Sequence, residues 1–298
     1  MKKFLYVLLI ALISIIIFGC AKKTDKGPLS VGLMPAVDSA PFFYAEKQGY
    51  FEKEGISVEL TVYTSAQNRQ TALQANRIDG AMTDLVALII NKSEGFPVKG
   101  TMSTDGVFAL LKNPAAGTKT KPLISMMEIS VSNYLAEKYM AEKEYEKTYI
   151  AEIPTRLQAV LSGAADMGLF PEPIASIGEL QGLEKSLYPG IPSESLDIMV
   201  FTEKALKEKK KSLEIFHMVY AKAASELAAD ENLARDLLPE YIANIPPAAI
   251  NMLIIPEFGK PSLPSEDFVK EIETWTSALT GQEISVSYDD MFDDRFLK

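Results

Sequence analysis

Four carboxylates and one guanidinium stand where short apolar runs give way to polar ones. Asp38 follows "LSVGLMPAV", Asp84 follows "GAMT", Glu128 follows "LISMM", Glu172 follows "MGLFP" and Arg156 follows "TYIAEIPT". A carboxylate placed there can accept N–H bonds or move a proton, whereas the guanidinium can only donate. Around them lie the rings of Phe42, Phe43, Tyr63 and Phe170 and the small polar side chains of Ser65, Asn68, Thr83, Ser130 and Asn133. Stacked rings add energy beyond area burial, and an amide offers donor and acceptor together. The set suits the grip of a small polar molecule. Each member also has a purely structural use. Asp38, Ser65, Asp84 and Glu172 stand where helices begin and can cap them, and Arg156 can form a hinge or surface ion pair.

Other chemistries find little material. One histidine and one cysteine are too few for a zinc site of the His/Cys type, so no metal and no cofactor is expected. His217 lies inside "LEIFHMVYAKAA", a helical stretch far from any strand end, which removes it from catalysis. A carboxylate pair such as Asp84 and Glu172 keeps acid–base chemistry formally open. The formal net charge of −10 lacks the basic footprint that nucleic acid requires. It also disfavours long-range capture of a strongly anionic ligand, although a local site can override net charge.

The elements that must position these residues follow from periodicity. "LSVGLMP" reads as a buried strand. "ISVELTVY" alternates, with Ile56, Val58, Leu60 and Val62 on one face, which is strand period. "TSAQNRQTALQANR" reads as a helix capped by Ser65, "IDGAMTD" as a turn and strand, and "LVALIINK" as a helix capped by Thr83. The order βαβαβα marks a mostly parallel sheet with helices on its faces. It recurs in "KPLISMM", "SVSNYLAEKYMAEKEY", "TYIAEI", "TRLQAVLSG" with a Thr155-to-Gln158 capping box, "ADMGLF" and "EPIASIGEL". "TALQANRIDGAM" and "TRLQAVLSGAADM" echo one another, as two similar lobes would. "STDGVFALLKNPAAGTKTK" reads as a linker between the lobes, and "YPGIPSESLDIMVF" as a second crossing. A long helix from about Lys204 to Ala229 and a late amphipathic helix with Trp275 in the core complete the chain. In "SAPFFYAEKQGYF", consecutive rings point about 100° apart on a helix. At least one of Phe42 and Phe43 is expected in the core, and Phe42 is expected to turn toward the cleft.

The N-terminus reads differently. "MKK" precedes an uncharged apolar run from Phe4 to Phe18, the pattern of a secretory signal and too short for a permanent span of about 20 residues. "IFGC" resembles the lipobox of bacterial lipoproteins, which implies cleavage after Gly19, diacylglyceryl attachment to Cys20, and "AKKTDKGP" as a polar tether.

"PFFYAEKQGYFEKEGISVEL" with "DGAMTDLVAL", and "IPTRLQAVLSGAADMGLFPEPIA", resemble the SsuA/THI5-like (NMT1-like) substrate-binding proteins of ABC importers. "LFPEP" stands where many members carry Trp-Glu-Pro, with Phe170 in place of the tryptophan. The resemblance implies an α/β periplasmic-binding-protein type II fold. Residues 1–19 would be signal, 20–28 tether, 29–110 the first lobe, 111–197 the second lobe and 198–298 the C-terminal part of the first. Ligands of open α/β sheets sit beyond the carboxyl ends of strands, and two crossings would hinge the lobes around one. The expected protein is a monomeric, extracytoplasmic, lipid-anchored binder that hands a small solute to ABC permease subunits. Aromatic and acidic groups at the strand ends favour a planar nitrogen-bearing solute such as a thiamine-precursor pyrimidine, with sulfonate, taurine or nitrate as the rival class. The family also includes pyrimidine-synthesising enzymes, which need an active-site histidine and a cysteine-rich iron motif that this sequence lacks.

Overall fold

The computed structural model describes residues 27–140, 143–187 and 195–297. The expected signal peptide, Cys20 and nearly all of the tether lie outside the described residues.

The strands are β1 (Leu29–Leu33), β2 (Val58–Val62), β3 (Gly80–Asp84), β4 (Val98–Thr104), β5 (Phe108–Lys112), β6 (Leu123–Met126), β7 (Glu146–Tyr149), β8 (Met167–Pro171), β9 (Glu184–Ser186) and β10 (Asp197–Thr202). They form two five-stranded sheets in the orders β2-β1-β3-β10-β4 and β7-β6-β8-β5-β9. In the first sheet β1 runs parallel to β2 and β3, while β10 lies antiparallel between β3 and β4. The second repeats this plan, with β6 parallel to β7 and β8 and with β5 antiparallel to β8 and β9. Each sheet is therefore mixed: a parallel core extended by the strand on which the chain enters from the other lobe.

Helices of seven residues or more are α1 (Ala40–Lys47), α2 (Ala66–Gln74), α3 (Leu85–Ser93), α4 (Val131–Met140), α5 (Ile153–Leu161), α6 (Ile174–Leu180), α7 (Lys210–Ala229), α8 (Glu231–Tyr241) and α9 (Glu266–Thr280). The sequence echo has a structural meaning. Residues 71–82 run from α2 into β3, and residues 155–167 run from α5 into β8, so both occupy the same place in their sheets.

Several local expectations shift. α3 is capped by Asp84, which accepts the Ala87 N–H at 2.8 Å, and not by Thr83. Thr155 lies inside α5, whose cap position is Glu152, so the Thr155-to-Gln158 pair forms no capping box. The expected linker contains β5, because "FALLK" finds an apolar slot between β8 and β9. The sheet-to-sheet crossing thus falls at residues 105–107. The long C-terminal helix breaks near Lys209. Trp275 is only partly buried, and its indole N–H donates to Glu137 at 2.7 Å.

α1 shows how consecutive rings are accommodated. Phe42 stacks on Phe216 with centroids 5.4 Å apart and meets Tyr220 at 4.7 Å, both on α7. Phe43 stacks on Tyr241 of α8 at 4.5 Å. Both rings are fully buried. α1 is wedged between its sheet and two covering helices, so several of its faces are interior. The expectation that Phe42 turns toward the cleft is corrected on that ground.

The lobes meet at several points. The Val37 N–H donates to the Glu172 carbonyl at 3.2 Å. On the opposite flank, Glu271 of α9 accepts from Tyr134 at 2.7 Å and from Lys138 at 2.6 Å, both on α4.

Phe42→Ala is expected to cost about 3–5 kcal/mol, the usual range for deleting a buried ring. Urea unfolding of the variant against the parent checks this; a change near zero would place the ring outside the core.

Candidate functional site

A cavity of about 100 Å³ lies between the lobes, where the carboxyl ends of β1, β3, β6 and β8 converge. Its first-lobe wall includes Asp38, Arg69, Thr83, Asp84 and Asp197; its second-lobe wall includes Phe108, Ser130, Ser132 and Arg156. Met34, Met82 and Met127 are among its apolar lining, and polarizable, flexible thioethers adapt to irregular shapes.

Asp38 sits on the one-turn helix Val37–Ser39 directly after β1. Its Oδ2 accepts the Thr104 hydroxyl at 2.7 Å, while Oδ1 has no partner among the described residues. Asp84 ends β3 and begins α3, and its carboxylate also receives the N–H of Val131 at the start of α4 in the other lobe. It therefore occupies the N-terminus where an anion would otherwise bind. Asp197 opens β10 and stands opposite Asp84 in the antiparallel register. The chain passes close to it: a β-carbon on Gly106 would fall 1.7 Å from Asp197 Oδ2. Only glycine permits that approach.

Arg69 enters from α2, donating from Nη2 to Thr83 Oγ1 at 2.9 Å, with Nε unpaired. It is buried near all three carboxyls, but among the described residues it forms no ion pair. The electrostatics follow from burial. Desolvation raises Asp38 to about 6, with Thr104 opposing. It raises Asp84, against the pull of the Ala87 N–H and Arg69. It lifts Asp197 well above the usual carboxylate range, reinforced by Asp38 and Asp84. Arg69 is pushed down by burial and held up by the three carboxyls.

The second-lobe wall is simpler. Arg156, in the first turn of α5, donates to the Leu169 carbonyl at 2.9 Å and the Ala151 carbonyl at 3.4 Å. Its guanidinium carbon lies 5.5 Å from the Phe170 ring centroid, a cation–π distance. Burial lowers its pKa to about 10, and Nε has no partner. Among the described residues no carboxylate pairs with it. Ser130 and Ser132 bond to each other at 2.7 Å and to the Met127 backbone.

Of the sequence-predicted residues, Asp38, Thr83, Asp84, Ser130 and Arg156 line the cavity. Phe42, Phe43 and Phe170 lie in the core instead. Glu172 is fully buried but turned away from the cavity. It accepts the N–H and hydroxyl of Ser176 at 3.1 and 2.9 Å and the Lys185 ammonium at 3.2 Å, so it caps α6 and neutralises a buried lysine. Ser65 caps α2 through the Asn68 N–H, and the Asn68 side chain is exposed. Tyr63 packs beside Gly32, and Glu128 is exposed, its carbonyl accepting the Asn133 amide. Sequence reasoning missed Arg69, Asp197, Gly106 and Phe108. Asp197 carried a signal, an acid opening an apolar strand at a lobe crossing; Arg69, in a polar helix without apolar periodicity, carried none.

His217 lies apart from the cavity. Its ring nitrogens meet the Leu213 carbonyl and Thr101 hydroxyl at 2.7 and 2.8 Å, and burial lowers its pKa to about 4.

Residues 22–237 match the NMT1-like family. No curated protein matches the sequence. The ligand-binding component of an ABC-type import system from Staphylococcus aureus, solved with zinc bound, is 16% identical with a TM-score of 0.74, covering 91% of this chain and 98% of that one. The alkanesulfonate-binding protein SsuA from Xanthomonas axonopodis pv. citri, bound to MOPS, is 14% identical with a TM-score of 0.70 over 87% of this chain and 94% of that one. The nitrate-binding protein NrtA from Synechocystis PCC 6803 is 13% identical with a TM-score of 0.65, covering 91% of each chain. The shared fold is that of the periplasmic binding proteins.

Asp38 titrates higher in the folded chain than in the unfolded one. Its neutral form is thus favoured by folding, and that stabilisation is present at low pH and lost as pH rises through about 6. Asp38→Asn is expected to stabilise the ligand-free protein by up to about 3 kcal/mol at neutral pH, with the gain vanishing toward pH ~4. Denaturant titrations across that range check it; a gain independent of pH would contradict the assigned titration.

Proposed function

The chain belongs to the NMT1-like family, and on that premise we propose that it is the solute-binding component of an ABC importer, taking a small nitrogen-bearing solute between its lobes. The chain passes between the lobes at residues 105–107, one arm of the hinge, and again between β9 and β10, where residues 188–194 lie outside the described residues. The protein works as a monomer outside the cytoplasm, held to a membrane through lipid on Cys20, and delivers its solute to permease subunits. No helix among the described residues is long and apolar enough to cross a membrane. The cavity binds and does not transform. Its polar groups are carboxyls, guanidiniums and the hydroxyls of Thr64, Thr83, Ser130 and Ser132, and the one histidine is packed elsewhere, against Phe296.

One observation carries the choice of ligand. One buried carboxyl, Asp38, and two half-buried ones, Asp84 and Asp197, gather around the buried Arg69 on the first-lobe wall, and Asp84 fills the helix N-terminus on the opposite wall. An incoming anion would meet like charge at the place where helix geometry would otherwise favour it. A solute bearing N–H groups meets acceptors. An aminopyrimidine of the thiamine-precursor type satisfies this. Its ring would lie against Phe108 and the methionines, since Phe42, Phe43 and Phe170 are committed to the core.

Native mass spectrometry of the protein purified from its own cells tests the reading. A retained, nitrogen-bearing solute of unchanged mass after prolonged incubation is expected. A retained sulfonate or nitrate would overturn the ligand class, and a product of altered mass would overturn the non-enzymatic role.

A further inference from the structure

The two walls of the cavity differ in the charge they leave open. On the first-lobe wall Asp38 Oδ1 is a buried acceptor without a hydrogen-bond partner among the described residues, and the Asp197 carboxyl stands beside it. Arg69 also leaves Nε open there, but it is surrounded by Asp38, Asp84 and Asp197. On the second-lobe wall the unmatched buried group is Arg156 Nε, and its guanidinium has no carboxylate within ion-pair distance among the described residues. Ser130 and Ser132 close their hydrogen bonds on one another and on the local backbone, so they do not compete for the same ligand atom.

Asp38, Arg69 and Arg156 are each at least nine-tenths buried, at 1%, 5% and 3% exposure. An unmatched buried donor or acceptor is costly unless something in the working state completes it. The cavity supplies the place, because all three residues line it. A solute that is only cationic would complete Asp38 and leave Arg156 bare. An anion would do the reverse and face three carboxyls. The cavity carries both signs of charge, three carboxyls against two guanidiniums, and burial favours the protonated form of Asp197. A molecule with separated charge matches that distribution.

We propose that the solute is dipolar: an N–H-bearing end seats against Asp38 in the first lobe, and an oxygen-bearing acceptor end seats against Arg156 in the second. This rests on the solute-binding reading above and narrows it to small amino- or guanidino-acid-like molecules, including aminopyrimidines that carry an oxygen function opposite the amine. Each end engages a different lobe, so the solute is itself the link that favours closure. Arg156 is the residue that separates a dipolar solute from a simple amine.

Two matched trios test this by calorimetry and thermal shift on the intact protein. One is guanidinoacetate, methylguanidine and acetate. The other is an (aminomethyl)pyrimidine carboxylate, the same ring without its carboxylate, and the same ring without its aminomethyl group. In at least one trio the dipolar compound is expected to bind at least tenfold more tightly than either analogue. Arg156→Gln is expected to bring the dipolar compound down to the affinity of its amine-only analogue and to leave that analogue unchanged. The comparison among ligands on the parent protein stands even if this variant folds poorly. An amine-only compound that binds as tightly as its dipolar partner overturns the dipolar assignment and leaves the binding-protein reading intact. Tightest binding by the acid-only compounds overturns both the assignment and the ligand class. Failure of every dipolar compound to bind also overturns the assignment, while the retained solute tests the importer reading separately.

Discussion

A guanidinium taken out of water without a carboxylate beside it carries a penalty of several kcal/mol, and Arg156 is in that position. The fold compensates in part, through two backbone carbonyls and the face of Phe170. Across the cavity the inverse problem exists: three carboxyls share one arginine, and two of the acids are lifted far from their ordinary titration by burial. Neither wall is electrostatically complete by itself. A stable protein tolerates such a cavity when its binding state supplies the missing partners, and most of the geometry serves to hold the two walls in register.

That geometry comes from a repeated plan. Each lobe places a parallel βαβαβ core so that its strand ends open toward the other lobe, and each accepts one antiparallel strand where the chain crosses over. The crossings bring Gly106 against Asp197 and set Asp84 beneath Val131. The C-terminal helices cover the outside. α7 and α8 bury α1 through Phe42 and Phe43, and α9 reaches over to Tyr134 and Lys138 of α4. The lobes are thus held together on both flanks of the cavity, at Val37 and Glu172 and at Glu271 with Tyr134 and Lys138.

Much of this was legible in the sequence, and the failures have physical causes. Strand and helix order came from periodicity, and the echo between residues 71–82 and 155–167 did mark equivalent places in two lobes. Asp38, Asp84 and Arg156 stood out as charges just past apolar strands, although Glu128 and Glu172 in the same kind of position went to solvent and to a helix cap. The aromatic residues misled. Phe42, Phe43 and Phe170 lie near strand ends in sequence, but their burial depends on α7, α8 and the second-lobe core, which are distant along the chain. Glu172 was claimed by Lys185, thirteen residues onward on a short edge strand. Arg69 was invisible because only the tertiary fold turns that face of α2 inward. Local pattern locates elements and strand ends; it does not report which neighbours cover them.

The most direct measurement is a crystal structure of the protein with the solute it retains from its own cells. The account predicts density between the lobes, with a solute nitrogen within hydrogen-bond distance of Asp38 Oδ1 and a solute oxygen within reach of Arg156 Nε. A solute that sits in this cavity with both of those atoms still unpaired, or one that binds elsewhere on the molecule, would contradict it.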